Sequence, residues 1–339
     1  MIIGVNLNHD YAYCIISNNY VYLREMERHS RLRHHWNKES YTLTILDDLS
    51  INELKQFDSI YLNSPNMNQI EEKGGILSSH SRDYVYSGEY LTANHPTGIV
   101  YGKLEVEGIV IPCAWVSHYH AHAASTFYSS GYSETDVLCL DGGGDWGFGG
   151  WFYGLNQTLN LSHQFLNCEL GLSYHSFSKK VFNATKGFYE SKAMALAGFG
   201  NKKNSTNQFL NKDTKWQSEL DTIISVHDIA QFQFDFEQGV LDLINKHKKH
   251  DYLCCAGGCF LNVSLNKQLA ESNIYKGIHI PPYAPDMGTA IGCAIYGCLD
   301  HKIDIPVKDL QNPYIGDNIC ASIADLKCVI EQKGDSVIF

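Results

Sequence analysis

Two stretches of this sequence read as antiparallel meanders, and they restrict the chain to a small set of α/β folds. The first is IIGVNL, AYCIIS and YVYLREM at 2–7, 12–17 and 20–26, with the tight-turn pair Asn18-Asn19 between the second and third runs. The second begins with the buried run VLCL at 137–140, which ends at Asp141-Gly142-Gly143-Gly144-Asp145 and is followed by the hairpin GFGGWFYGL. Helical patterns fill about 170–250, and a strand at 252–256 runs into Gly257-Gly258. Leu261, Leu265 and Leu269 then fall four apart on an amphipathic helix. Two meanders, each followed by mixed strands and helices, imply two similar lobes with a cleft between them. The expected division is an N-terminal lobe at 1–136, a second lobe at 137–300, and a segment at 301–339 packing back on the first lobe. No period of 20–50 residues repeats along the chain.

Composition narrows the classes. With 339 residues, 44% hydrophobic and 19% charged, the chain can bury a sizeable core. A formal net charge of −11 argues against a protein that coats nucleic acid. No apolar run is long enough to span a bilayer, and the start MIIGVNL lacks the features of a signal peptide. Among the 11 cysteines, Cys139, Cys254, Cys255, Cys293 and Cys298 lie in apolar runs, as small buried hydrophobes do. Reduced thiols and a cytoplasmic location are expected.

The densest chemistry is VSHYHAHAAS at 116–125, after an apolar run at 109–116 that reads as a strand. Alanines and the absence of Gly or Pro make it a helix, with Ser117 at the N-cap position. On a helix His118 and His122 share a face, while His120 lies about 200° away from His118. Two imidazoles one turn apart suit a single metal ion; a histidine-rich surface helix is the simpler alternative. Tyr119 stands where a zinc-protease HExxH motif needs Glu.

Three further features sit at strand ends. The glycines of DGGGD at 141–145 let backbone N–H groups approach a phosphate, and its leading Asp can hold a metal. AGGCFLN at 256–262 could lay a nucleotide against a helix start or be a plain βα turn. Asp286 in APDMG is either an N-cap or a carboxylate offered to the cleft. Two histidines with Asp141 or Asp286 make a set suited to Fe(II), Zn(II) or Mn(II). Near the start, Asn8-His9-Asp10 follows the first strand. Arg24, Arg28, Arg31 and Arg33 could clamp an anion or form a solvated charged helix offset by Glu25 and Glu27.

In order along the chain, N-x-N-H-D, E-x-E-R-x-x-R-x-R-H at 25–34, H-x-x-x-H-A-A-S-x-F at 118–127, the Asp141-Gly142 turn, KAMALAGFG at 192–200, A-G-G-x-x-L-N at 256–262 and P-x-x-P-D-M-G-x-A-x-G at 282–292 resemble the O-carbamoyltransferases of antibiotic and nodulation-factor biosynthesis. Two positions depart from that family's pattern: Ser117 replaces the first of its paired histidines, and Ala195 stands in a block usually written G-K-x-M-G-L-A.

The resemblance implies an actin/Hsp70/sugar-kinase-like bilobal fold with a central cleft. It implies His118, His122, Asp141 and Asp286 as ligands of a divalent metal, iron first, with zinc or manganese as alternatives. Gly142, Gly143, Gly144, Lys192, Gly257, Gly258 and Asn262 would hold the nucleotide, and His9 and Asp10 would stand near the reacting centre. Arg28, Arg31 and Arg33 would meet an anionic group of the substrate. The implied reaction moves a carbamoyl group from carbamoyl-adenylate, made from carbamoyl phosphate and ATP, to a hydroxyl of a sugar, an antibiotic-like molecule or a hydroxymethylpyrimidine nucleotide or DNA. Net charge disfavours a long nucleic acid, and no membrane partner is expected. Such proteins usually continue into a donor-forming domain about where this sequence stops, so a separate carbamoyl-adenylate-forming partner is expected, or the sequence is a piece of a longer chain. Threonylcarbamoyl transfer to tRNA, a kinase of the same superfold and a nucleotide-binding scaffold are the rival readings.

Overall fold

The computed structural model describes residues 1–7, 9–17, 20–32, 50–63, 76–78, 83–89, 97–145, 147–203 and 224–316. The Asn18-Asn19 turn and Arg33 lie outside the described residues.

The strands are β1 (Ile2–Asn6), β2 (Ala12–Ser17), β3 (Tyr20–Glu25), β4 (Ser59–Asn63), β5 (Ile76–Ser78), β6 (Asp83–Gly88), β7 (Ile99–Val106), β8 (Ile109–Val116), β9 (Glu134–Gly144), β10 (Gly147–Leu155), β11 (Thr158–Gln164), β12 (Tyr252–Ala256) and β13 (Gly277–His279). The helices are α1 (Met26–Ser30), α2 (Ile51–Leu54), α3 (His118–Ser130), α4 (Leu170–Val181), α5 (Glu190–Ala197), α6 (Val226–His247), α7 (Val263–Glu271), α8 (Met287–His301) and α9 (Val307–Leu310).

One sheet runs β3-β2-β1-β4-β8-β7-β6-β5 and the other β11-β10-β9-β12-β13. In each, an antiparallel meander of three strands is extended on its first strand by two parallel neighbours: β4 and β8 beside β1, β12 and β13 beside β9. The same order and directions therefore occur twice, as the two meanders of the sequence imply.

Helix α3 is the wedge between the sheets. Ala121 and Ala124 join the cluster of Ile2, Cys14, Ile16 and Ala114 from the first sheet. Tyr119, Ala123 and Phe127 join Val137, Cys139, Phe152 and Cys254 from the second. Buried on both sides, the histidine stretch is not a surface helix. Each fully buried large apolar side chain here adds about 1.5–3 kcal/mol.

Helix α8, which the sequence division groups with the second lobe, packs instead on β1, β2 and β4 of the first sheet and against α3. Glycines make that approach possible. A Cβ on Gly4 would lie 2.1 Å from the Ala290 carbonyl oxygen. Past α8 the chain reaches back to β3, where the Leu23 N–H donates to the Ile315 carbonyl at 2.7 Å.

Two local expectations change. The strand at 137–140 does not stop at Asp141: β9 continues to Gly144 and pairs with β10 through a register shift. Leu261 is not on the amphipathic helix. It ends a 3-10 turn at Gly258–Leu261 and is 55% exposed, while Asn262 caps α7 by accepting from the Leu265 N–H at 3.0 Å.

Candidate active site and metal centre

Four side chains from three places in the chain converge between the lobes. His118 and His122 come from the first turns of α3, Asp141 from β9, and Asp286 from the residue before α8. One ligand atom of each lies within 4.8 Å of the others. His118 Nε2 is 3.6 Å from both Asp141 Oδ2 and Asp286 Oδ1; His122 Nε2 is 3.4 Å and 3.3 Å from the same atoms. Asp286 resolves its two readings in favour of the site: its side chain caps nothing on α8.

These residues fit a divalent cation. His118 Nε2, His122 Nε2 and Asp141 Oδ2 are buried without a hydrogen-bond partner among the described residues. Orphaned buried acceptors are costly unless something positive sits between them. Burial works against ionisation of Asp141, but His118 and His122 outweigh it and hold the carboxyl well below the usual carboxylate range. A two-imidazole, two-carboxylate set of this kind suits iron, zinc or manganese.

The histidine helix is held at its start from outside. Ser117 stands at the N-cap position without capping through its side chain, and the buried carboxylate of Asp145 instead accepts the His118 backbone N–H. Gly144 serves the same region, since a Cβ there would strike the His118 ring. His120 faces away, with its ring edge-on to Phe152 at 5.1 Å.

His9 and Asp10 sit in the turn after β1, shaped by Asn6, whose amide donates to the His9 and Asp10 carbonyls at 3.0 and 3.2 Å. Asp10 has a φ of +56°, a conformation that Asp tolerates better than most residues. His9 bridges Asp10 through Nδ1 and Asp286 through Nε2, both at 3.2 Å. The Asp286 carboxylate raises the His9 pKa to about 10, against the opposing effect of burial and with help from Asp10.

From this centre a cavity of about 390 Å³ opens along the second lobe. Asp141, Gly142, Gly143, Gly258, Asn262, His9, Asp10 and Asp286 line it as the sequence anticipates. Other expected residues stand elsewhere. Gly144 packs on His118. Gly257 is a turn residue at φ +100°, where a Cβ would lie 2.1 Å from the Leu140 carbonyl. Lys192 is exposed with its ammonium over the Tyr189 ring at 5.1 Å, and its neighbours Glu190, Ser191 and Met194 line the cavity in its place. Arg28 is paired with Glu25 at 3.0 Å and Arg31 ends α1 on the surface; neither lines the cavity.

The sequence missed the opposite wall, where His175 of α4 pairs through Nδ1 with Glu190 of α5. Phe188 lies between His9 and His175, at 6.3 and 5.7 Å. It also missed the floor, where the Tyr174 hydroxyl donates to Gln233 at 2.6 Å and Gln233 exchanges hydrogen bonds with Asn262. Glu190 stands two residues before the expected lysine, so the motif block would have found it had it been extended by one turn.

The sequence has relatives in several organisms. A Methanocaldococcus jannaschii protein, itself uncharacterised, is 27% identical over 244 residues, 59% of this chain and 40% of that protein. The nodulation protein NolNO of Sinorhizobium fredii is 28% identical over 234 residues, 61% of this chain and 34% of that protein. The chain thus spans less than half the length of these relatives. Among solved structures, full-length HypF in its phosphate- and nucleotide-bound form matches 90% of this chain and 56% of its own, with a TM-score of 0.54 at 11% identity. That likeness, together with the duplicated lobes, makes the fold actin/Hsp70/sugar-kinase-like. The model of the carbamoyltransferase N-terminus matches residues 1–223 and 219–295, a span that includes all four converging side chains. The chain belongs to the carbamoyltransferase N-terminus family.

Proposed function

We propose that this chain transfers a carbamoyl group from carbamoyl-adenylate to an acceptor hydroxyl. The observation that carries the reading is the continuity of the buried His118/His122/Asp141/Asp286 centre with the cavity lined by Gly142, Gly143 and Gly258. One cavity can then hold a nucleotide portion along the glycine turns and its acyl group at the centre, so that attack is effectively intramolecular. Family membership and the nucleotide-bound structural neighbour support the same assignment.

The acceptor oxygen forms a bond to the carbamoyl carbon, the bond from that carbon to the adenylate phosphate oxygen breaks, and AMP departs with the electron pair. His118, His122, Asp141 and Asp286 would hold a divalent cation, iron by preference, which would supply Lewis-acid stabilisation of oxyanion or phosphate charge. The His9 imidazole, whose proton the Asp286 carboxylate holds, would be released from that hold if Asp286 bound a cation. It then accepts the hydroxyl proton, and Asp10 steadies the imidazolium that results. The donor is made by a separate partner or by a further part of a longer protein.

The test supplies the purified chain with carbamoyl phosphate, ATP, Fe(II) and a panel of hydroxyl acceptors, with and without an added donor-forming domain, and reads products by mass spectrometry. Carbamoylated acceptor only with the added domain is the expected result. No product in either arm, with tRNA carrying a threonylcarbamoyl group in a parallel assay, overturns it.

A further inference from the structure

At the C-terminal ends of the neighbouring parallel strands β1 and β4, two asparagines stand opposite each other in register, Asn6 and Asn63. Asn6 shapes the His9–Asp10 turn. Asn63, fully buried, does something different. Its amide nitrogen donates to the Val116 carbonyl at 3.1 Å, which fixes the orientation of the amide. The amide oxygen is thereby turned toward His118 Nδ1, 3.4 Å away.

An amide oxygen only accepts, so His118 carries its proton on Nδ1. In the neutral ring that metal binding requires, the lone pair then lies on Nε2, the buried atom that faces Asp141 and Asp286. His122 has no such arrangement: both its ring nitrogens are buried without a hydrogen-bond partner among the described residues. The two ligand histidines are therefore unlike, one with its tautomer set by the protein and one without.

We propose that Asn63 is a positioning residue for the metal centre, holding His118 as a pre-oriented Nε2 ligand. The proposal rests on the metal-binding reading of the centre. Groups of this kind behind a ligand histidine typically change metal affinity by about 10–100-fold.

The experiment titrates the metal-free protein with Co(II) alone, following the visible d–d bands and competition with a chelator. Asn63→Ala is expected to bind Co(II) about 10–100-fold more weakly and with shifted bands. Asn63→Asp, which returns an acceptor oxygen but loses the donation to Val116, recovers part of the affinity relative to Asn63→Ala. Thr135→Ala loses buried hydrogen bonds at the far end of the second sheet and serves as the control for general destabilisation. It is expected to bind as the parent does. Wild-type affinity and spectrum in Asn63→Ala, or an equal loss in Thr135→Ala, overturns the role of Asn63 while leaving the centre intact. A parent protein that binds no Co(II) overturns the centre itself and this role with it.

Discussion

Gly292 of α8 meets the backbone of Ala121 in α3 so closely that a Cβ on Gly292 would lie 1.8 Å from the Ala121 carbonyl oxygen. Ala121 directly precedes His122, and Gly292 lies less than two turns beyond Asp286. The spacing of this helix crossing is therefore also the spacing between the imidazoles and the carboxylate that face each other.

Gly292→Ala is accordingly expected to injure both fold and site. Overpacking against backbone costs about 1–3 kcal/mol. Urea unfolding should show that loss, and Co(II) titration should show weaker binding. Full stability with unaltered metal binding would mean the crossing does not set the geometry of the centre.

The three histidines of α3 should separate cleanly. His118→Ala and His122→Ala are expected to abolish bound metal and transfer, as measured by elemental analysis and the carbamoylation assay. His120→Ala should keep its metal, since the His120 ring packs on Phe152 instead of facing the centre. Equal metal loss in all three sinks the ligand assignment.

The cavity makes opposite predictions for two neighbours on α5. Lys192→Ala should leave AMP binding within about twofold, because its ammonium lies over Tyr189 and outside the cavity wall. Met194→Trp adds bulk inside a cavity of about 390 Å³ and should weaken AMP binding by tenfold or more, on the order of the 1–3 kcal/mol cost of overpacking. Calorimetry on the two variants decides it, and a loss with Lys192→Ala would restore the lysine to the site.

Acid stability carries a signature of His279. Burial lowers its pKa from 6.5 to about 4, while Ser129 Oγ lies 2.9 Å from Nε2. An unfolded chain takes up this proton near 6.5 and the folded chain only near 4. The group therefore leaves stability unchanged above about 6.5, removes it progressively as pH falls toward 4, and exerts its full penalty below that. His279→Gln should flatten the fall of unfolding free energy over that interval by roughly one proton equivalent. Parallel curves for parent and variant would show that His279 titrates normally.

Much of the site was legible because its residues carry chemistry in short blocks. The histidine pair announces itself by spacing, and the duplicated meander by its alternation of apolar runs and turns. What escaped were residues whose role depends on the partner that folding brings to them. Lys192 looks like a nucleotide contact in sequence, yet on α5 it points at aromatic rings. Asn63 and His175 belong to no block, and only the pairing of β4 with β8 or of α4 with α5 gives them meaning. Asp286 could be read as a helix cap because a carboxylate before a helix is ordinarily one. Its actual direction follows from the docking of α8 on the first sheet, which no local pattern encodes.

That docking also sets a timetable. The first sheet, the histidine helix and β9 are all synthesised well before the ribosome reaches Asp286, so three members of the cluster exist for a long interval without the fourth. The complete centre can form only after α8 has emerged and settled on Gly4 of the very first strand. A cation at this centre would thus be bound late in the birth of this protein, once an early strand and a late helix have found each other.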